Sequence, residues 1–125
     1  MKPAIAVIGA STNRHKYGNK AVRAYLQQGW DVYPIHASAA TVEGLRAYQR
    51  MADLPVPGVD RVSMYLPPAI GLQVIDDVAT KSVGELWFNP GSAATPVVER
   101  AKALGLKIVH GCSIVAIGVS PEDLD

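Results

Sequence analysis

The sequence predicts a single α/β domain: a doubly wound parallel sheet of about five strands with helices on both faces. Three observations carry this. Residues 4–8, Ala-Ile-Ala-Val-Ile, form a continuous apolar run, as expected of a central strand covered on both sides. Runs rich in strand formers then alternate with segments of helical apolar spacing, the pattern of βα units joined by right-handed crossovers. Finally, 125 residues can bury one sizeable core but not two, so residues 1–125 read as one domain.

Between Tyr17 and Gln28, the residues Ala21, Val22, Ala24, Tyr25 and Leu26 recur at roughly helical spacing, and Gly29 supplies a stop. Residues 30–35 (W-D-V-Y-P-I) read as the second strand, with Pro34 near its end. The pattern is weakest over 36–54: Thr41 to Leu45 has turn character, and Arg50 to Leu54 reads as one helical turn before Pro55. Residues 60–66 form a third strand closed by Pro67-Pro68. Pro68 is suited to open a helix, whose apolar face is Ile70, Leu72, Val74, Ile75, Val78 and Ala79. Residues 85–89 read as a fourth strand ending in the turn Asn89-Pro90-Gly91-Ser92. Thr95 is the expected N-cap and Pro96 the first residue of a helix reaching Leu104, with Gly105 as its stop. Residues 106–110 make a fifth strand, 113–117 a short closing helix, and a polar tail follows from Ser120.

Composition narrows the function. Apolar residues make up 49% and charged residues 18%, with a formal charge of +1, which gives no basis for nucleic-acid or membrane-surface binding. One cysteine, Cys112, cannot form an internal disulfide and fits a reducing cytoplasm. No apolar run approaches the ~18 residues of a membrane span, and the start lacks a signal-peptide core. The expectation is a soluble cytoplasmic protein.

In an open parallel sheet, ligands sit beyond the carboxyl ends of the strands, where strand order reverses. The first such end is Gly9-Ala10-Ser11. A glycine there admits a phosphate close to the backbone, a serine adds a donor, and the following helix N-terminus favours an anion. Arg14 and Lys16 flank this loop and can neutralise phosphates. Ser11 stands where the usual G-x-G-x-x-G fingerprint has its second glycine, which weakens the case for an ordinary nicotinamide site. The second strand ends in Ile35-His36, with no carboxylate for ribose hydroxyls before Glu43. Either that ribose is substituted or a different nucleotide is bound. His36 is placed to donate to a phosphate or stack on a base, or to serve structure alone. Catalytic signals are thin: beside Cys112, only His15, His36 and His110 stand out, with no carboxylate pair, metal-ligand cluster or nucleophile elbow.

The blocks G-A-S at 9–11, K-Y-G-N at 16–19, V-Y-P-I-H at 32–36, Y-L-P-P at 65–68, W-F-N-P-G at 87–91 and G-C-S at 111–113 resemble the small stand-alone CoA-binding proteins. These are similar to the CoA-binding domain of succinyl-CoA synthetase α subunits. The resemblance spans nearly the whole chain, with the blocks in the same order. It implies a Rossmann-like fold with coenzyme A, or an acyl-CoA, across the strand ends. Gly9, Ala10, Ser11 and Lys16 would hold its phosphates, with Tyr17 and Gly18 shaping the loop. Ile35 and His36 would lie against the adenosine end. Leu66, Pro67 and Pro68 would line the ligand's path, and Asn89, Pro90 and Gly91 would neighbour the pantetheine arm. Cys112, if near the end of that arm, would be placed for a mixed disulfide with the thiol. A 3′-phosphate on the CoA ribose also suits a second strand ending in histidine rather than a carboxylate.

The synthetases use further domains with a phosphorylatable histidine, which 125 residues cannot contain, so ligase activity is not carried over. The sequence favours a CoA-binding protein without catalysis of its own. Two alternatives stay open. One is an NAD(P)-binding oxidoreductase-like protein, with Arg14 meeting a 2′-phosphate. The other is a regulatory or interaction subunit that forms a homo-oligomer or docks on a partner acyl-CoA enzyme, using Ile114 to Ile117 as contact.

Overall fold

The computed structural model describes residues 2–124. In chain order the elements are β1 (Ala4–Ile8), α1 (Tyr17–Gln27), β2 (Asp31–Ile35), a small hairpin of β3 (Thr41–Val42) and β4 (Leu45–Arg46), then β5 (Gly58–Met64), α2 (Pro68–Val78), β6 (Ser82–Phe88), α3 (Thr95–Ala103) and β7 (Ile108–His110). The main sheet is parallel throughout, in the order β2-β1-β5-β6-β7. The fold is therefore the α/β, Rossmann-like single domain that the alternation of segments predicts.

Because strand side chains alternate faces, β1 feeds two cores. Ala6 and Ile8 join Met64, Ile75, Leu86 and Phe88 beneath α2 and α3. Ile5 and Val7 join Val22, Tyr25 and Ile114 beneath α1. The continuous apolar run in β1 is thus a consequence of cover on both faces.

Several boundaries differ from expectation. β5 begins at Gly58 and β6 at Ser82, two and three residues before the sequence pattern suggests. Gly84 hides the start of β6: a β-carbon there would stand 2.4 Å from the Asp60 carbonyl oxygen, so close strand approach requires a residue that otherwise reads as a breaker. On α2 the buried residues are Gly71, Ile75 and Val78, whereas Ile70 and Leu72 are exposed by 46% and 41% and do not belong to the core face. On α3 the N-cap is Ala94, with extended backbone, so Thr95 is already helical.

The weakly patterned region 36–54 is ordered by backbone pairing. Tyr48 bridges Ile35 in parallel, with the His36 amide donating to the Tyr48 carbonyl at 2.8 Å. A 3-10 turn follows at Met51–Asp53, and the Asp77 carboxylate accepts the Met51 and Ala52 amides at 2.7 and 3.1 Å. Residues Val115–Ile117 form a 3-10 turn behind the fully buried Ile114. The supposed polar tail is a packed 3-10 segment, Pro121–Leu124, with Leu124 buried and its carbonyl accepting from Arg23 Nη1 at 2.7 Å.

A buried polar knot fixes the carboxyl ends of β5 and β6 to the loop after β7. Asn89 Nδ2 donates to Ser63 Oγ at 2.8 Å and to the Met64 carbonyl at 2.9 Å, while Asn89 Oδ1 accepts the Ser113 amide at 2.9 Å. The Ser63 and Ser113 hydroxyls lie 2.6 Å apart, and Tyr65 OH is 3.1 Å from Ser113 Oγ. Tyr25 OH donates to the Ser113 carbonyl at 2.8 Å. Burial pushes the Tyr65 phenol up to about 12 and raises that of Tyr25, because ionisation would place a charge in an apolar surround.

Three outcomes follow. Asn89→Ala leaves two donors or acceptors of the backbone and one hydroxyl without their partner, and should lower stability by on the order of 3 kcal/mol in urea unfolding. Gly18→Ala places a methyl 2.1 Å from the Gly9 carbonyl oxygen; it should cost several times more than Gly71→Ala, whose nearest neighbours are ordinary contacts at 3.7 and 3.8 Å. For Tyr65, the folded state prefers the neutral phenol more than the unfolded chain does. Its stability contribution is complete below the ordinary phenol value of 10.0 and is lost as pH rises toward about 12. Unfolding midpoints measured from pH 8 upward should fall in that window, and less steeply in Tyr65→Phe.

Candidate functional site

The chain leaves β1 toward β2 on one side, and β5 takes up the other. The loops after β1 and β5 therefore diverge and open a crevice at the strand ends. The crevice is a cleft of about 920 Å³.

One wall is the turn from β1 into α1. Gly9 has φ +85°, a left-handed conformation that favours glycine. The close approach of Gly18 to its carbonyl brings the first turn of α1 against the strand end. That first turn has neither a side-chain cap nor an acidic residue; its Asn19 and Lys20 amides close on the Lys16 carbonyl, while Tyr17 and Gly18, at the positive end of the helix dipole, line the cleft. The loop is braced from outside. Ser11 Oγ accepts the Asn13 amide at 3.0 Å, and Asn13 Oδ1 accepts the His15 amide at 3.0 Å. The buried Asn19 donates to the Ser11 carbonyl at 2.8 Å and to Glu43 at 3.1 Å, and accepts from Arg23 at 2.7 Å. Ser11 keeps its hydroxyl proton for a ligand.

The second wall is the end of β2. His36 Nδ1 accepts the Ser38 and Ala39 amides at 3.0 and 2.8 Å. A neutral imidazole so held carries its proton on Nε2 and is a donor there. Arg50 and Gln49 complete this wall from the segment paired beside β2. Opposite, the cleft is closed by Tyr65, Leu66 and Pro67 after β5 and by Pro90 and Gly91 after β6.

Of the residues the sequence singles out, Gly9, Ala10, Ser11, Lys16, Tyr17 and Gly18 line the cleft from the first loop. Ile35, His36, Leu66, Pro67, Pro90 and Gly91 line it from the other strand ends. Four do not. Arg14 turns to Glu43, with an ion pair of 3.4 Å. Pro68 opens α2. Asn89 is consumed by the buried knot, although it also borders a second cavity. Cys112, half-buried, lines that second cavity, of about 300 Å³, with Tyr17, Tyr65, Pro90 and Pro121. Tyr17, Tyr65 and Pro90 face both spaces, so the cavity adjoins the cleft.

Sequence reading missed a stripe on α2, Ile70, Gln73, Val74 and Asp77, which is one helix face by its spacing. It also missed Arg50, because only the Ile35–Tyr48 bridge brings that residue to the end of β2. Among the described residues no group of His, Cys, Asp and Glu is arranged to hold a metal ion, and no helix is long and apolar enough to cross a membrane.

The CoA binding domain family matches residues 3–118. Among curated proteins, the α subunit of acetate–CoA ligase (ADP-forming) II from Pyrococcus furiosus is 28% identical over 116 residues, covering 84% of this chain and 25% of the relative. The chain thus spans about a quarter of the curated relative's length. Among solved structures, a conserved hypothetical protein from P. furiosus superposes with a TM-score of 0.81 at 29% identity, over 93% of this chain and 99% of the other. A dinucleotide-forming acetyl-coenzyme A synthetase from Ca. Korarchaeum cryptofilum gives 0.74 at 31% identity, over 85% of this chain and 25% of that one. With the match extending from the strand before the glycine turn to beyond the last strand, the chain belongs to the CoA binding domain family.

Proposed function

We propose that this protein binds coenzyme A or an acyl-CoA in the cleft at its strand ends, and that it acts by binding rather than by catalysis. The observation that carries the reading is the uncapped first turn of α1, with no acidic residue in it, facing a cleft whose floor is Gly9. A diphosphate lying over the Gly9–Ser11 turn would accept from those amides and from the Ser11 hydroxyl, with Lys16 adding charge. The adenosine would lie toward Ile35 and His36. The pantetheine arm would run past Leu66, Pro67 and Pro90 toward the smaller apolar cavity at Cys112. Family membership supports the choice of coenzyme A over a nicotinamide dinucleotide, as does the serine in place of the second fingerprint glycine. The relatives' names also make an acyl-CoA-forming enzyme a candidate partner for this module.

Native mass spectrometry of the purified protein should show a mass increment of coenzyme A, present on isolation or after its addition. Lys16→Met should weaken binding about five- to thirtyfold in titration calorimetry. A protein that remains empty with excess coenzyme A, or that binds NADPH more tightly, would sink the reading. Denaturing the same sample without reductant tests Cys112: an adduct removed by dithiothreitol places the thiol of the ligand beside it.

A further inference from the structure

The end of β2 carries a second basic residue whose role no motif assigns. Tyr48 runs beside β2 through two backbone hydrogen bonds, His36 amide to Tyr48 carbonyl at 2.8 Å and Tyr48 amide to Pro34 carbonyl at 2.9 Å. The chain leaving this bridge therefore emerges level with His36, and its next two residues are Gln49 and Arg50, both in the cleft wall. Arg50 is held there by Asp53, at 3.2 Å from Nη2 and 3.5 Å from Nε. A guanidinium has five N–H donors, so this ion pair leaves donors for a ligand. The segment is itself anchored, since Asp77 holds the amides of Met51 and Ala52 and Met51 is fully buried.

Of the three nearby carboxylates, two are committed elsewhere and the third orients Arg50. Glu43 bonds Asn19 and Arg14, Asp77 bonds backbone amides, and Asp53 faces Arg50 itself. Where a dinucleotide site presents an acid to the ribose hydroxyls, this cleft instead presents an imidazole N–H and a guanidinium. That pairing suits a ribose bearing a phosphomonoester, which is close to a dianion at neutral pH, better than an unsubstituted ribose.

We propose that Arg50, with His36 beside it, is the specificity determinant for the ribose phosphate: it selects coenzyme A over its 3′-dephospho form. The inference rests on the coenzyme A reading above. Arg50 donates to the phosphate oxygens while Asp53 orients the guanidinium, and the diphosphate is bound independently at the Gly9–Ser11 turn. Removing the arginine therefore removes discrimination and spares the rest of the ligand.

The test is calorimetric titration of the wild type and of Arg50→Met with coenzyme A and with 3′-dephospho-coenzyme A. The wild type is expected to prefer coenzyme A by about ten- to hundredfold. Arg50→Met should bring the two affinities together by weakening coenzyme A alone, with Arg50→Lys in between because it keeps the charge but loses the fork. A wild type that binds both ligands equally overturns the inference and leaves the coenzyme A reading intact. Equal weakening of both ligands in Arg50→Met, with an unchanged unfolding midpoint, also overturns it. Binding of neither ligand to the wild type overturns the coenzyme A reading, and this inference with it.

Discussion

The carboxamide of Asn89 is the interaction on which the cleft depends. Its three hydrogen bonds reach Ser63, the end of β5 at Met64 and the loop after β7 at Ser113. Parallel strands are joined by ladders along their length, but beyond their carboxyl ends the chains separate, and nothing in the sheet fixes one loop against the next. A buried amide with both its donor and its acceptor used supplies that constraint. Tyr65 and Pro90, which wall both the cleft and the smaller cavity, are chain neighbours of the residues so tied. No buried side-chain polar atom among the described residues lacks a partner, which is the condition under which such a knot stabilises rather than weakens a core.

The opposite wall is held by a different principle. There the constraint is backbone proximity, Gly18 against Gly9, backed by a polar brace of Asn19, Arg23 and Glu43 on the outer side of the loop. Arg23 also ties the Arg14 carbonyl at 2.6 Å and the Leu124 carbonyl at 2.7 Å, so the last described residues help to hold the first loop. These bonds keep the loop in shape, while Tyr17 and Gly18 at the helix start line the cleft.

The fold was legible because β1, α1 and the later helices announce themselves by periodicity and by their Gly and Pro punctuation, and those signals are local. Twelve of the residues chosen from the strand ends reach the cleft for the same reason: in a parallel sheet, the end of every strand run points to one edge. What stayed hidden was set by tertiary contact. Gly84 reads as a breaker, yet is required by the approach of β5. Asn89 reads as a turn residue near a ligand, yet it is 2% exposed and bonded within the protein. Arg14 stands beside the loop, and only the fold of the hairpin turn, where Glu43 adopts φ +50°, shows that it also pairs with Glu43. Ile70 and Leu72 count as core by hydropathy, but α2 turns its other face inward.

Charge is unevenly distributed along the cleft. His15, Lys16, His36 and Arg50 line it, against one acid, Asp77, whose oxygens already accept two amides. Here the carboxylates near the site are locked as acceptors, and the Tyr65 phenol, pushed up to about 12, stays protonated at neutral pH. The His36 Nδ1 lone pair is occupied by two amides, which leaves Nε2 as that ring's remaining hydrogen-bonding atom. The lining of the cleft is thus richer in hydrogen-bond donors and cationic side chains than in acids.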